Sequence, residues 1–262
     1  MPYAESAGAR IYWEEHGAGD PVLLIMGMTL TIEMWHRTLP RLARRYRTIV
    51  FDNRGVGRSG APPGSYSILK MAEDAATVLD AAGVASAHIV GASMGGMVAQ
   101  EFALRWPARV RSLVLACTTC GGLRTHLPKL AQFRKPMAGA RTFEERIRGF
   151  APLLYSDSTP RERIEEDNLI RVNHFPAIRA YFKQLAAVLS WSSYGRLPSI
   201  QAPALIIHGD SDRILPPRNA GTLARRIPHS RKIILPNAGH LFTTDQPELA
   251  HEAVMGFLDT LG

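Results

Sequence analysis

The stretch Ile89-Val90-Gly91-Ala92-Ser93-Met94-Gly95-Gly96-Met97-Val98 constrains the fold more than any other part of the chain. It reads strand, tight turn, helix. Ala87 to Val90 is a short apolar run of the buried-strand type, and Met97, Val98 and Phe102, with Leu104 and Trp106 beyond, mark the buried side of a helix. Between them lies G-x-S-x-G, with Gly91 and Gly95 flanking Ser93. A sharp strand-to-helix turn leaves almost no room beside its central residue, so the positions two before and two after favour glycine. The serine oxygen is then held out at the top of a sheet, with a helix N-terminus behind it that favours developing negative charge. The same five residues also suit a glycine-rich turn with a buried serine. An acid, a histidine and a second amide donor are therefore required from elsewhere in the chain.

The 262 residues allow one large core, either as one domain with an insertion or as two domains. The formal charge is +8, and the segment 121–198 carries much of it, with 13 basic against 7 acidic side chains. A clustered excess suits an anionic partner. Here Glu144, Glu145, Glu162, Glu165, Glu166 and Asp167 interleave with the arginines, a pattern of solvated helix faces, and no nucleic-acid recognition motif accompanies them. No nucleic-acid partner is expected. The N-terminus lacks a basic start followed by an apolar core, and no apolar run approaches membrane-spanning length, so the expectation is a cytoplasmic protein without a membrane partner. Cys117 and Cys120 form a C-x-x-C, but Cys117 ends a strand-like run and further ligands at zinc spacing are missing. A buried reduced thiol is the better reading.

Arg10 to His16 alternates as a strand, and Gly17 to Asp20 turns into a second strand, Pro21 to Met26. Trp35, Leu39, Leu42 and Ala43 carry a helical period, and a strand from Arg47 to Phe51 runs into the Asp52 to Gly60 loop. Gly55, Gly57 and Gly60 spell the dinucleotide fingerprint G-x-G-x-x-G, but Ala61-Pro62-Pro63-Gly64 prevents the helix that fingerprint must open. A helix is expected from Ser65 to Leu79 and a strand from Val110 to Ala116. Such alternation indicates a mostly parallel sheet covered by helices on both faces, whose ligands gather beyond the carboxyl ends of the strands. From Gly121 to Pro198 the alternation gives way to helix-like pieces at Thr142 to Leu154, Arg161 to Asn173 and Ala177 to Ser190. It then resumes with a strand at Ala204 to His208, a helix at Asn219 to Arg226, a strand at Lys232 to Leu235 and a final helix at Pro247 to Leu261. The expected organisation is a core of residues 1–120 and 199–262 with a helical lid inserted at 121–198.

The partners of Ser93 are sought in loops beyond strands. Asp210 and Asp212 both follow the Ala204 to His208 strand, and Asp212 is favoured because a histidine-orienting carboxylate must turn back toward the nucleophile. Both also suit a purely structural turn role. His240 follows the last strand behind the small pair Ala238-Gly239 and is the best placed of the nine histidines. His88 and His208 lie in or at the ends of strands and read as structural. Ser93, Asp212 and His240 would act as nucleophile, orienting acid and general base. The oxyanion is expected to meet the backbone N–H groups of Met94 and of Met28 in the loop after Met26-Gly27.

Gly91-Ala-Ser-Met-Gly-Gly, Asp52-Asn-Arg-Gly-Val-Gly-Arg-Ser, Gly209-Asp-Ser-Asp-Arg-Ile-Leu-Pro and Asn237-Ala-Gly-His together resemble the lidded α/β-hydrolase family, in its branch of small carboxylesterases, enol-lactone hydrolases and cofactor-free perhydrolases. The resemblance covers the chain except the lid. It implies an α/β fold with an eight-stranded, mostly parallel sheet, and an Asp52-to-Ser59 loop bracing the site. Many of the family have His-Gly where this chain has Met26-Gly27. Dehalogenases and epoxide hydrolases of the same fold use an aspartate at the elbow, so Ser93 cannot form their alkyl-enzyme ester.

The leading expectation is hydrolysis of a carboxylic ester or lactone through an acyl-serine. Perhydrolysis and C–C bond hydrolysis are alternatives in the same site, and a ligand-binding protein without catalysis is the rival from another class. No metal or organic cofactor is implied, and the oligomeric state is not legible. Leu153, Leu154, Tyr155, Phe175, Phe182 and Trp191 are expected to give the lid an apolar underside, with Leu154, Tyr155, Phe182 and Trp191 as substrate-binding candidates for a small-molecule substrate with an apolar moiety.

Overall fold

The computed structural model describes residues 3–128 and 141–261. Residues 129–140 of the expected lid lie outside them. Eight strands form one sheet in the order β1-β2-β4-β3-β5-β6-β7-β8. They are β1 (Tyr3–Ser6), β2 (Ala9–His16), β3 (Asp20–Ile25), β4 (Tyr46–Phe51), β5 (Ala87–Ala92), β6 (Val110–Ala116), β7 (Ala204–Gly209) and β8 (Ser230–Leu235). β2 pairs antiparallel with β1 and β4, and every pairing from β4 through β8 is parallel. The central strands read as unbroken apolar runs because both faces are covered: Leu23, Leu24 and Ile25 of β3 and Leu113, Val114 and Leu115 of β6 are fully buried.

One face carries α2 (Ile68–Ala81) and α3 (Met94–Arg105) over a core that includes Ile25, Met71, Val98 and Phe102. The other holds the short α1 (Leu39–Leu42) and α10 (Pro247–Leu258) against Val22, Val50, Val114 and Ile207. Ser67 caps α2 by accepting the Lys70 N–H, so that helix starts later than its apolar pattern suggested. The expected helix around Trp35 to Ala43 divides into a 3-10 turn (Ile32–Trp35) and α1. Arg54 and Asp74 form a bidentate ion pair at 2.7 and 2.6 Å, almost wholly buried, which ties the loop after β4 to α2.

Between β6 and β7 run α4 (Phe143–Gly149), α5 (Ala151–Leu154), α6 (Arg161–Asn173) and α7 (Ile178–Leu189). Thr142 and Glu145 close α4 with a capping box, and the expected single helix from Thr142 to Leu154 breaks at Phe150. The segment leaves and rejoins the sheet at one place: Gly121 bridges Ser192, and the Ser193 N–H donates to the Cys120 carbonyl at 2.8 Å. Its interleaved charges pair, Arg148 with both Glu144 and Glu165. The last turn of strand–helix alternation is α8 (Arg218–Arg226) before β8 and α9 (Phe242–Asp245) after it. No helix among the described residues is long and apolar enough to cross a membrane.

Candidate active site

Ser93 sits between β5 and α3 with φ 54° and ψ −118°, a conformation that an L-residue holds only when its surroundings dictate it. The surroundings do so on both sides. A methyl group on Gly91 would collide with the Gly95 carbonyl, and one on Gly95 with the Ile25 carbonyl, so both flanking positions exclude a side chain. The Ser93 N–H donates to the Ala116 carbonyl at 2.9 Å, and the Thr118 hydroxyl donates to the Ser93 carbonyl at 2.7 Å.

His240 lies in the loop between β8 and α9, with its Nε2 3.0 Å from Ser93 Oγ and its Nδ1 2.8 Å from Asp212 Oδ2. With the carboxylate accepting at Nδ1–H, the Nε2 lone pair faces the serine hydroxyl. Asp212 is buried in the loop after β7, and its Oδ1 accepts the Ile214 and Leu215 N–H groups, both at 2.8 Å. Burial opposes its ionisation, but the charge of His240 and hydrogen bonds from His208 and His240 outweigh that and hold its carboxyl far below the usual carboxylate range. Asp210 instead accepts the Asn237 and Ala238 N–H groups and shapes the histidine loop. Of the two acids, Asp212 is the one within hydrogen-bond distance of His240.

His208 proves to be a second histidine on Asp212. Its fully buried Nε2 is 3.0 Å from Asp212 Oδ2 and 2.7 Å from the Leu215 carbonyl. Both neighbours only accept, so Nε2 carries the proton. A position at the end of a strand gave no signal of this contact.

Gly27 and Met28 follow β3 directly beside the serine: a methyl on Gly27 would lie 3.2 Å from Ser93 Cβ. Thr29, at φ 67°, donates its N–H to Gln184 Oε1 of α7 at 2.9 Å. Met94 opens α3, where first-turn N–H groups have no carbonyl within their own helix. The Asp52 loop braces this region as expected. Its carboxylate accepts the Ile32 and Arg58 N–H groups, both at 2.9 Å, and Asn53 Nδ2 donates to the Met26 carbonyl at 2.9 Å.

A cavity of about 620 Å³ opens over Ser93 and His240. Met26, Trp35 and Val90 line its sheet side, and Phe150, Leu154 and Phe182 its helical side. Phe175 and Met28 also line it. Two substrate-binding expectations are corrected. Tyr155 is buried away from the cavity with its hydroxyl on Asp167 Oδ2 at 3.0 Å, and Trp191 is buried with its Nε1 on Glu101 at 2.7 Å. Each ring turns toward a buried carboxylate that can satisfy its polar tip. Leu153 likewise packs inward and does not line the cavity. Cys117 borders the cavity, buried and free, with its thiol pushed well up by burial. Cys120 is also buried and free.

Two further carboxylates tie distant parts of the chain together, and Asp167, expected on a solvated helix face, is fully buried. Asp245 joins the histidine loop to the helical segment, accepting the Gly239 N–H at 2.6 Å and the Thr159 hydroxyl at 2.6 Å. Asp167 accepts Arg37 Nη1 at 2.6 Å and the Thr244 hydroxyl at 2.6 Å besides Tyr155. No group of three or more His, Cys, Asp or Glu among the described residues could hold a metal ion.

The model of the α/β hydrolase fold family matches residues 20–247. The chain belongs to that family. A protein of Azorhizobium caulinodans that carries the provisional name carbamate hydrolase RutD is 35% identical over 98% of both chains. A poly(3-hydroxyalkanoate) depolymerase of Ectopseudomonas oleovorans is 31% identical over 91% of this chain and 84% of its own. Among solved structures, Est816, described as an N-acyl homoserine lactone degrading enzyme, superposes with a TM-score of 0.83 at 30% identity, covering 98% of this chain and 100% of its own. This member of the family is a hydrolase.

Proposed function

We propose that the protein is a serine hydrolase that cleaves a carboxylic ester or lactone through an acyl-serine. The observation that carries this reading is the His240 ring standing between Ser93 Oγ and Asp212 Oδ2 at 3.0 and 2.8 Å. In the first half-reaction His240 Nε2 takes the Ser93 proton as Oγ attacks the acyl carbon, and then returns it to the departing alcohol oxygen. Water repeats the sequence on the acyl-serine and releases the acid. Asp212 fixes the imidazole tautomer and stabilises its charged form, and the two N–H groups at Met28 and Met94 receive the tetrahedral oxyanion. The helices of 121–198 form the lid, with Leu154, Phe175 and Phe182 supplying the apolar surface that selects the substrate.

The experiment is reaction with a fluorophosphonate, followed by a panel of p-nitrophenyl esters graded by chain length, small lactones and carbamate esters. A covalent adduct on Ser93 and turnover of at least one ester or lactone are expected, both lost in Ser93→Ala. Absence of an adduct in folded protein refutes the reading. An adduct without turnover of any panel member redirects it to perhydrolysis or C–C cleavage in the same site.

A further inference from the structure

The cavity above Ser93 is lined by two arginines, Arg146 and Arg171, and by no aspartate or glutamate. Arg171 lies in the last turn of α6, and its guanidinium is satisfied only by neutral groups. Nη1 donates to Asn168 Oδ1 at 3.0 Å and Nη2 to the Ile147 carbonyl at 3.2 Å, the Tyr155 hydroxyl is a further hydrogen-bonding neighbour, and the charge of Asp167 is felt from beyond direct contact. The nearest acid in the helix, Asp167, has both oxygens engaged, Oδ1 by Arg37 and Oδ2 by Tyr155 and Thr244. Among the described residues no carboxylate stands within ion-pair distance of Arg171 or of Arg146. Arginines 37, 54, 148, 196 and 213 all have one.

A cation among apolar side chains with no carboxylate in direct contact is costly, and a guanidinium held by neutral acceptors still presents donors in a planar fork. Phe150, Phe175 and Phe182 border the same cavity and make that part of its wall apolar. We propose that Arg171, with Arg146 at the rim, forms an anion subsite, so that the preferred ester or lactone carries a carboxylate at a distance from its scissile carbonyl. The inference rests on the serine-hydrolase reading and names its substrate class. A monoanionic carboxylate suits one fixed guanidinium, which it meets through two parallel N–H···O bonds. The apolar walls between that fork and Ser93 accommodate the hydrocarbon that joins the two ends.

The test compares p-nitrophenyl hemiesters of linear dicarboxylic acids with p-nitrophenyl alkanoates of the same length, at low ionic strength. At a matching chain length the hemiester is expected to exceed its neutral counterpart in kcat/KM by about tenfold or more, the range of one charge-assisted hydrogen-bonded pair. In Arg171→Gln that ratio collapses toward unity, in Arg171→Lys it recovers in part, and in Arg146→Gln it falls by a smaller factor. Preference for the neutral ester at every length in the wild-type protein overturns the subsite, as does an equal loss on both esters in Arg171→Gln. Should that variant fail to fold, inhibition of the wild-type protein decides: free alkanoates must inhibit alkanoate-ester turnover more strongly than alcohols of equal length. Fluorophosphonate labelling keeps the two readings apart. Labelled protein that favours neutral esters refutes the subsite alone, whereas unlabelled protein refutes the acyl-serine reading beneath it.

Discussion

The Thr29 N–H donates to Gln184 Oε1 at 2.9 Å, and the Nε2 of the same side chain donates to the Arg54 carbonyl at 3.2 Å. Gln184 is fully buried, so α7 grips both the loop after β3 and the loop after β4. Replacing Gln184 with leucine removes both bonds and leaves the Thr29 N–H without its partner. The loop carrying Met28 is then free to shift. The expected result is a fall in kcat of about tenfold or more with KM little changed, as for an interaction felt mainly in the transition state. Steady-state kinetics on one ester checks it, with circular dichroism confirming the fold.

Asp212→Asn retains the shape of the acid but removes its charge, and an amide can offer N–H where Nδ1–H needs an acceptor. We expect kcat to drop by about 10⁴ while Ser93 and the N–H donors leave residual catalysis above water. A loss of less than about tenfold would mean that another group orients His240.

His251 is buried against Thr38, and burial, reinforced by Arg41, lowers its pKa to about 4. The unfolded chain, with an ordinary histidine near 6.5, binds this proton first. Stability is therefore unaffected above about pH 6.5 and is lost as pH falls from there toward 4. His251→Gln should flatten the decline of Tm across that window relative to the wild-type protein. Parallel Tm curves for the two proteins would refute it.

Asp74→Ala strands the Arg54 guanidinium in the interior. The expected destabilisation is about 3–5 kcal/mol, measured as a shift in the urea midpoint. Asp157→Ala, which breaks an exposed pair with Arg213, should cost less than about 1 kcal/mol.

Gly95→Ala places a methyl against the Ile25 carbonyl, part of the β3 backbone, which cannot withdraw as a side chain end could. The variant should fold poorly, with a Tm lower than that of Gly256→Ala, where no atom lies within 4 Å of the new methyl.

The elbow was legible because its constraint is local: five consecutive residues encode a turn that only glycines permit. Asp212 and His240 were legible because each follows a strand whose apolar run is easy to see, and because a loop beyond a strand end reaches the same edge of the sheet. Side-chain direction within the helical segment was not. Its first helix breaks at Phe150 and the next is a single turn, so no sustained period fixes a phase, and Tyr155 turned toward Asp167 where an apolar underside was expected. The contacts of Gln184, Asp167 and Asp245 were not legible for another reason. Tyr155 and Gly239 are near neighbours in sequence, but the partners that tie these side chains to other parts of the fold lie 77 to 155 residues away, as in Thr29 with Gln184 and Thr244 with Asp167, and such pairs leave no pattern in a single chain.

Gly239 deserves its place beside His240 on account of what lies above it. A methyl there would come within 2.7 Å of the Leu154 carbonyl, the same carbonyl that accepts the Leu241 N–H at 2.9 Å. The helical segment that lines the cavity therefore rests, at Leu154, on the backbone of the histidine loop itself. Exchange of residues 121–198 between relatives would for that reason not be a neutral graft. Divergence in substrate range must be accompanied by matched changes around residues 239–245, and the two regions should evolve as one unit.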